Sequence, residues 1–172
     1  NDLLNAKSIC QELLRSIGGK LKAEGGMSKL SISGAGIMGR PGVAASLFDT
    51  LSRYGINIRL IATSEVKVSC VINKNLGNKA LRSVVSAFEL NESQISVNTK
   101  IQSFGGPEVR GIALDVDQAQ LSVLHVPDKP GTAAALCLAM AEGGISLDAI
   151  VQSEREHCDG SRDISFVLKQ ED

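Results

Sequence analysis

One stretch of this chain occurs twice. Residues 41–65, PGVAASLFDTLSRYGINIRLIATSE, return 89 positions later at residues 130–154 as PGTAAALCLAMAEGGISLDAIVQSE. An apolar run precedes each copy and another follows it. A repeat constrains the fold more than any single motif does, because both copies must form the same supersecondary unit. The sequence therefore predicts two copies of a β-α-β-β module.

The first copy continues beyond the repeated stretch. Apolar residues alternate with polar ones where we expect strands, and recur every third or fourth position where we expect helices. The predicted strands are 29–33, 56–62, 66–72 and 95–97, and the predicted helices are 41–54 and 80–88. This order is β-α-β-β-α-β, the ferredoxin-like unit. We predict an α+β fold of tandem ferredoxin-like modules, with antiparallel sheets and helices packed on one face.

The repeat also divides the chain. We expect a trailing helix and strand of a preceding module at 1–26, a first module at 27–98 and a second, incomplete module at 119–172. A linker at 99–118 would join them and contribute one inter-module strand, VRGIAL. The first helix has no strand before it, and the second module stops where the first continues. These features favour a fragment of a longer protein with several repeats.

Charge and composition favour a small ligand or a protein partner. The chain has 18 basic and 19 acidic residues without a like-charge block, which argues against nucleic-acid binding and an anionic membrane surface. No apolar stretch approaches the roughly 20 residues that span a bilayer. The four cysteines lack the paired spacing of a zinc site or a disulfide scaffold. They are Cys10, Cys70, Cys137 and Cys158. No metal site is predicted.

A glycine pattern before the first repeated helix resembles a dinucleotide fingerprint. Gly34, Gly36 and Gly39 spell G-x-G-x-x-G between a strand and a helix. A hairpin follows where a second crossover would be needed, and Arg59 stands on the next strand without an obvious ribose-binding acid. The matching loop, HVPDKPG, lacks the glycines. We interpret the pattern as a tight strand-to-helix turn.

The second loop offers chemistry suited to an amino acid. A helix that begins at Pro-Gly presents free N–H groups and a positive dipole end, which suit a carboxylate. Asp128 in PDKPG would then face an ammonium, and Gln152 on the next strand would meet a polar side chain. Asp128 is equally well explained as a cap of the helix or turn. The spacing leaves both interpretations open.

Catalytic groups are poorly supported. His125 lies in an alternating segment and fits a packed or edge position, while His157 and Cys158 fall in a polar loop and are expected to be solvated. No phosphate loop ending in Gly-Lys-Ser/Thr is present. Within this chain we expect a sensor rather than an active site. An independent enzyme on this scaffold would require turnover by the chain alone.

Particular stretches of the sequence resemble the regulatory ACT modules of aspartate kinases. SISGAGIMGRPGVAASLFDTLSRYGINIRLIATSEVKVSCVI is similar to the second module type of that family. GIALDVDQAQLSVLHVPDKPGTAAALCLAMAEGGISLDAIVQ, followed by DGSRDISFVL, is similar to the first. The resemblance covers almost the whole chain and is more specific than the ferredoxin-like order alone.

This resemblance implies a cytoplasmic regulatory segment, plastidic in a plant, that binds threonine or lysine between paired modules. The effector site would comprise Asp128, Lys129, Pro130, Gly131, Thr132, Ala133, Gln152, Asn57 and Ile58. A second site would comprise Met38, Gly39, Thr63, Ser64 and Glu65. ATP and Mg²⁺ are expected only in a kinase domain outside this chain. Other expected partners are that domain and a second copy in a homodimer.

Two departures from the family pattern affect these expectations. The module types occur in reverse order, which fits the middle of a longer array. Arg59 stands where relatives commonly carry an acid after Asn-Ile, and a cation there disfavours a lysine ammonium nearby. Threonine is therefore the expected ligand of at least one site. The alternative function is a ligand-free oligomerisation module that pairs through exposed sheet edges.

Overall fold

The structure, a computed structural model, describes residues 2–35, 37, 40–64, 66–97, 114, 118–152 and 157–170. These residues form four α-helices, six strands and two short 3₁₀ turns at Lys74–Leu76 and Glu92–Gln94. The helices are α1 (Asp2–Ile17), α2 (Val43–Arg53), α3 (Gly77–Ala87) and α4 (Thr132–Glu142). The strands are β1 (Met27–Ser33), β2 (Leu60–Ser64), β3 (Lys67–Asn73), β4 (Gln118–Pro127), β5 (Ala149–Gln152) and β6 (Ser161–Lys169).

All six strands lie in one antiparallel sheet in the order β1-β3-β2-β5-β6-β4. Each repeat supplies one half, and the halves meet where β2 pairs with β5. Ile61 lies opposite Gln152, and the Ile150 N–H donates to Thr63 Oγ1 at 2.7 Å. Since Ile61 and Ile150 are equivalent in the repeat, as are Thr63 and Gln152, the junction has approximate two-fold symmetry. The predicted α+β fold of ferredoxin-like modules is confirmed.

The core lies between the sheet and helices α2, α3 and α4. Alternate strand residues point toward the helices, so period-2 and period-3.6 apolar patterns meet in one layer. The largest fully buried side chains include Phe48, Leu51, Ile61, Ile150 and Phe166. Burial of each such side chain stabilises the fold by about 1.5–3 kcal/mol. Because these residues come from both repeats, the two modules share a single core.

Helices α2 and α4 pack antiparallel across the symmetry axis. Gly42 at the start of α2 lies near Ala141 at the end of α4, and Gly131 at the start of α4 lies near Ser52 at the end of α2. Both glycines have left-handed backbones, with φ of 96° and 98°. The start of each helix therefore lies against the other module.

Three predicted strand positions require correction. Residues 18–26 are exposed and form no strand, because four of the nine are glycine and the segment has little apolar surface to bury. Residues 95–97 follow a 3₁₀ turn instead of forming a strand. Val97 is 65% exposed, so pairing of this segment would bury little apolar surface. The strand predicted at 56–62 begins only at Leu60, after a bend at Arg59. The predicted strand VRGIAL lies outside the described residues except Leu114.

The Thr63 hydroxyl provides a test of the module junction. Thr63→Val keeps the side-chain shape but removes the acceptor of the Ile150 N–H. We expect the free energy of unfolding to fall by about 1–3 kcal/mol, because a part-buried donor is left unpaired. Urea denaturation will measure it, with Thr63→Ser as the control that keeps the hydroxyl. Equal stability of the two variants would contradict this role of the hydroxyl.

Candidate functional site

A cleft of about 350 Å³, here cleft 1, lies between the modules at the start of α4. It is lined by residues 56–58 of the first module and by residues 126–134, Gln152, Arg162 and Ile164 of the second, with Phe48 of α2. Because the chain bends at Arg59, residues 56–58 do not extend strand β2. The Asn57 side chain instead lines cleft 1. The cleft is thus built from both modules.

The Asp128 carboxylate is the polar centre of cleft 1. Its Oδ1 accepts from Asn57 Nδ2 at 2.9 Å, and its Oδ2 accepts from Arg162 Nε at 2.6 Å. Arg162 Nη1 also donates to the Arg59 carbonyl at 2.9 Å. The bonds of Asn57 to Asp128 and of Arg162 to the Arg59 carbonyl join the two modules. The side chains of Arg162 and Asp128 are only 3% and 12% exposed, so the ion pair is largely removed from solvent.

Backbone donors form one wall of cleft 1. Helix α4 starts at Thr132, with Gly131 as an N-cap that has no side-chain bond. The N–H groups of the first helical turn have no acceptor within a helix, so the Gly131–Ala134 wall carries donors and the positive end of the helix dipole. Of these groups, the Thr132 N–H donates to the Lys129 carbonyl at 3.3 Å. Opposite, Gln152 is 5% exposed and donates Nε2 to the Ile58 carbonyl at 3.3 Å. Cleft 1 therefore combines a carboxylate, a guanidinium, two amides and a helix N-terminus.

A second cleft of about 610 Å³, cleft 2, is related to cleft 1 by the symmetry of the repeat. It lies at the start of α2, lined there by Arg40 and Pro41–Ala45 and by Thr63 and Ser64. The opposite side is lined by Ile145, Leu147, Asp148 and Ile150. By the repeat, Arg40 corresponds to Lys129 and Asp148 to Arg59. Cleft 2 thus offers an acid where the first module carries an arginine.

Comparison with known proteins identifies this architecture. Residues 30–88 match the family described as the ACT domain. The chain is 40% identical over 75 residues to an aspartokinase of Bacillus sp. MGA3, which covers 44% of this chain and 18% of the relative. It is 40% identical over 91 residues to an aspartokinase of Pseudomonas aeruginosa, or 52% and 22% of the two chains. The chain contains an ACT domain and is related to the aspartate kinases.

The fold likeness extends along the whole chain. The crystal structure of aspartate kinase from Synechocystis superposes on 99% of the chain with a TM-score of 0.87 and 40% identity. The match covers 30% of the Synechocystis protein. The chain spans about a fifth of the length of the curated aspartokinases it matches. Both ACT modules and their pairing thus lie within the matched part.

The ACT fold brings most of the predicted site residues into two places. Cleft 1 contains every predicted effector-site residue, with Lys129 and Pro130 on its exposed rim. Of the predicted second site, Thr63 and Ser64 line cleft 2. Met38, Gly39 and Glu65 lie outside the described residues.

Two charged residues that line these clefts were not predicted as site residues from the sequence. Arg162 is at the start of β6, and Asp148 lies just before β5. Asp148 could have been found from the repeat, because it aligns with Arg59. The expected cation of the ACT site also needs correction. The Arg59 guanidinium forms a 2.7 Å ion pair with Glu24, and the buried cation that lines cleft 1 is Arg162.

A pair of histidines lies beside cleft 1, His125 on the bulge of β4 and His157 shortly before β6. The His125 and His157 rings stack with centroids 3.9 Å apart, and His157 Nε2 lies 2.8 Å from Asp163 Oδ1. Hydrogen bonds from the His125 N–H and then His157 hold the pKa of Asp163 below its ordinary value. Bonds from the Ser161 hydroxyl and N–H lower the pKa of Asp159 to about 2. His157 is therefore half-buried and bonded, rather than solvated as its sequence context suggested.

Neither buried thiol suggests reactivity. Burial raises the pKa of both Cys70 and Cys137 to about 12, so these side chains are protonated core residues. Within the described ranges no group of three or more His, Cys, Asp or Glu side chains is arranged to hold a metal ion. Among the same residues, no helix has the length and apolar character needed to cross a bilayer.

Proposed function

We propose that this chain is the effector-binding regulatory segment of an aspartate kinase and that cleft 1 binds a free amino acid. The observation that carries the proposal is the bond between Asp128 and Asn57, which places an acid of one ACT module and an amide of the other in one cleft. A ligand that contacts both modules changes the free energy of their packing. An effector shifts a conformational equilibrium only through such a difference in affinity.

The chemistry of cleft 1 matches the head group of an amino acid. The start of α4 suits a carboxylate. The Asp128 carboxylate has about four acceptor positions, of which Asn57 and Arg162 use two, so it can still accept from an ammonium. Gln152 and Asn57 would then contact a polar side chain. Threonine, with a single hydroxyl on a short side chain, suits these partners.

Cleft 2 suits a different amino acid. Its exposed Asp148 favours a cationic side chain such as that of lysine, while Arg40 and the start of α2 favour the carboxylate. We propose that the two clefts transmit effector binding to a kinase domain that phosphorylates aspartate in the cytoplasm. ATP and Mg²⁺ would bind in that domain. Pairing of two copies through ACT modules would couple the subunits.

Titration with threonine and lysine, separately and together, tests the proposal. We expect saturable heat with threonine in isothermal titration, and shifts of the Asn57 and Gln152 side-chain amide signals in NMR spectra. Threonine binding should persist when lysine saturates cleft 2. A folded chain that shows neither heat nor amide shifts would overturn the sensor function. Unchanged self-association of that chain would then favour the ligand-free assembly module.

A further inference from the structure

Arg162 is the most deeply buried cation that the structure describes in either cleft. Its side chain is 3% exposed, and its two short contacts run to the Asp128 carboxylate and to the Arg59 carbonyl of the other module. A guanidinium remains charged at any physiological pH. Its positive charge is therefore a fixed property of cleft 1.

Cleft 2 lacks a counterpart to this cation at the symmetric position. Ile61 pairs with Cys70, and its repeat equivalent Ile150 pairs with Phe166. Cys70 of β3 and Phe166 of β6 are therefore equivalent positions. Four residues before each of them stand Val66 and Arg162, so Val66 is the equivalent of Arg162 in the first module. The two clefts thus differ in one buried charge, although their surrounding elements are related by the repeat.

A buried cation affects some amino acids far more than others. A neutral side chain can occupy the space beside Arg162 and use its remaining N–H donors. A cationic side chain would place a second positive charge in the same desolvated cleft, where like charges repel strongly. Asp128 offsets one positive charge, and the α-ammonium of the ligand would already bind that carboxylate. No second carboxylate of cleft 1 is described that could offset a cationic side chain.

We propose that Arg162 is the specificity-determining residue of cleft 1, which selects amino acids with uncharged side chains and rejects those with cationic ones. This inference rests on the proposed function, because it assigns the ligand class of the same cleft. Arg162 lies in strand β6, so the selection between ligands would not come from the PDKPG loop at the start of α4.

Lysine and norleucine separate charge from size, since norleucine has a methyl group where lysine has its side-chain ammonium. Both are titrated into the 172-residue chain, and binding in cleft 1 is followed through the Asn57 and Gln152 side-chain amides. For the wild type we expect norleucine and threonine to bind about tenfold or more tightly than lysine. Arg162→Gln should reduce the lysine-to-norleucine ratio of Kd to within about threefold of unity. Arg162→Lys, which keeps the charge, should preserve the discrimination.

The outcomes separate the two proposals. Wild-type protein that binds lysine and norleucine equally in cleft 1, or an Arg162→Gln variant that still rejects lysine, overturns the role of Arg162 and leaves the sensor function standing. A wild type that binds none of the three ligands overturns the sensor function itself. Should Arg162→Gln fail to fold, the wild type is titrated with Nε-acetyl-lysine, which keeps the length of lysine without its charge. Binding as tight as that of norleucine is then expected, and binding as weak as that of lysine overturns selection by charge.

Discussion

Replacing Asp128 with alanine will lower the free energy of unfolding by about 3–5 kcal/mol, since one partner of a buried ion pair is removed. The Arg162 guanidinium, 3% exposed, would keep its bond to the Arg59 carbonyl but lose the carboxylate 2.6 Å from its Nε. Asn57 would lose its acceptor in the other module as well. The variant should therefore weaken the contact between modules and abolish amino-acid binding in cleft 1.

A double variant separates stability from binding. Asp128→Leu/Arg162→Met replaces the ion pair with apolar side chains of similar volume, an exchange that is often neutral or stabilising. We expect it to recover most of the lost stability in urea denaturation but no threonine binding. If the free energy of unfolding of Asp128→Ala lies within about 1 kcal/mol of the wild-type value, the ion pair contributes as little as an exposed salt bridge. Binding restored in the double variant would exclude Asp128 as a ligand contact.

The repeat was sufficient to predict the fold because both periodicities and turn residues recur in the two copies. Pro-Gly before each helix and the apolar runs around it specify a β-α-β-β unit wherever they occur. The errors arose where pairing decides the structure. Residues 95–97 have an alternating pattern but too little apolar surface to bury, and the 3₁₀ turn before them leaves them unpaired. A local alternating pattern contains no information about how much surface a strand would bury on pairing.

The site was predicted unevenly for a related reason. Asp128 and Gln152 stand in a recognisable loop and strand, so the sequence named them as candidates for contact with an amino acid, although spacing left a capping role for Asp128 equally open. Arg162 is separated from Asp128 by 34 positions, and the antiparallel pairing of β4 with β6 brings the two together. Its neighbours in sequence, Ser161 and Asp163, form no motif that indicates a binding site. Only the register of the sheet reveals that this arginine lies in cleft 1.

The starts of α2 and α4 provide the second large expected effect. Gly42 and Gly131 have almost the same backbone, with φ of 96° and 98°, where side chains with a Cβ are strained. Substitution by alanine should cost about 1–3 kcal/mol at either position for this strain alone. The two sites differ in space. A Cβ on Gly131 would lie 2.9 Å from Ser52 Oγ, whereas one on Gly42 would lie 3.8 Å from Ala141 Cβ.

Gly131→Ala should therefore be the more destabilising of two otherwise matched substitutions, and Ser52→Ala should remove the difference by deleting the crowded hydroxyl. Relief of strain would displace the first turn of the helix and, with it, the backbone donors that we assign to the ligand carboxylate. We expect Gly131→Ala to impair threonine binding in cleft 1 and Gly42→Ala to impair lysine binding in cleft 2, each measured by titration. Loss of both ligands in both variants would show instead that the clefts are coupled through the packing of α2 against α4, so that neither helix start acts alone.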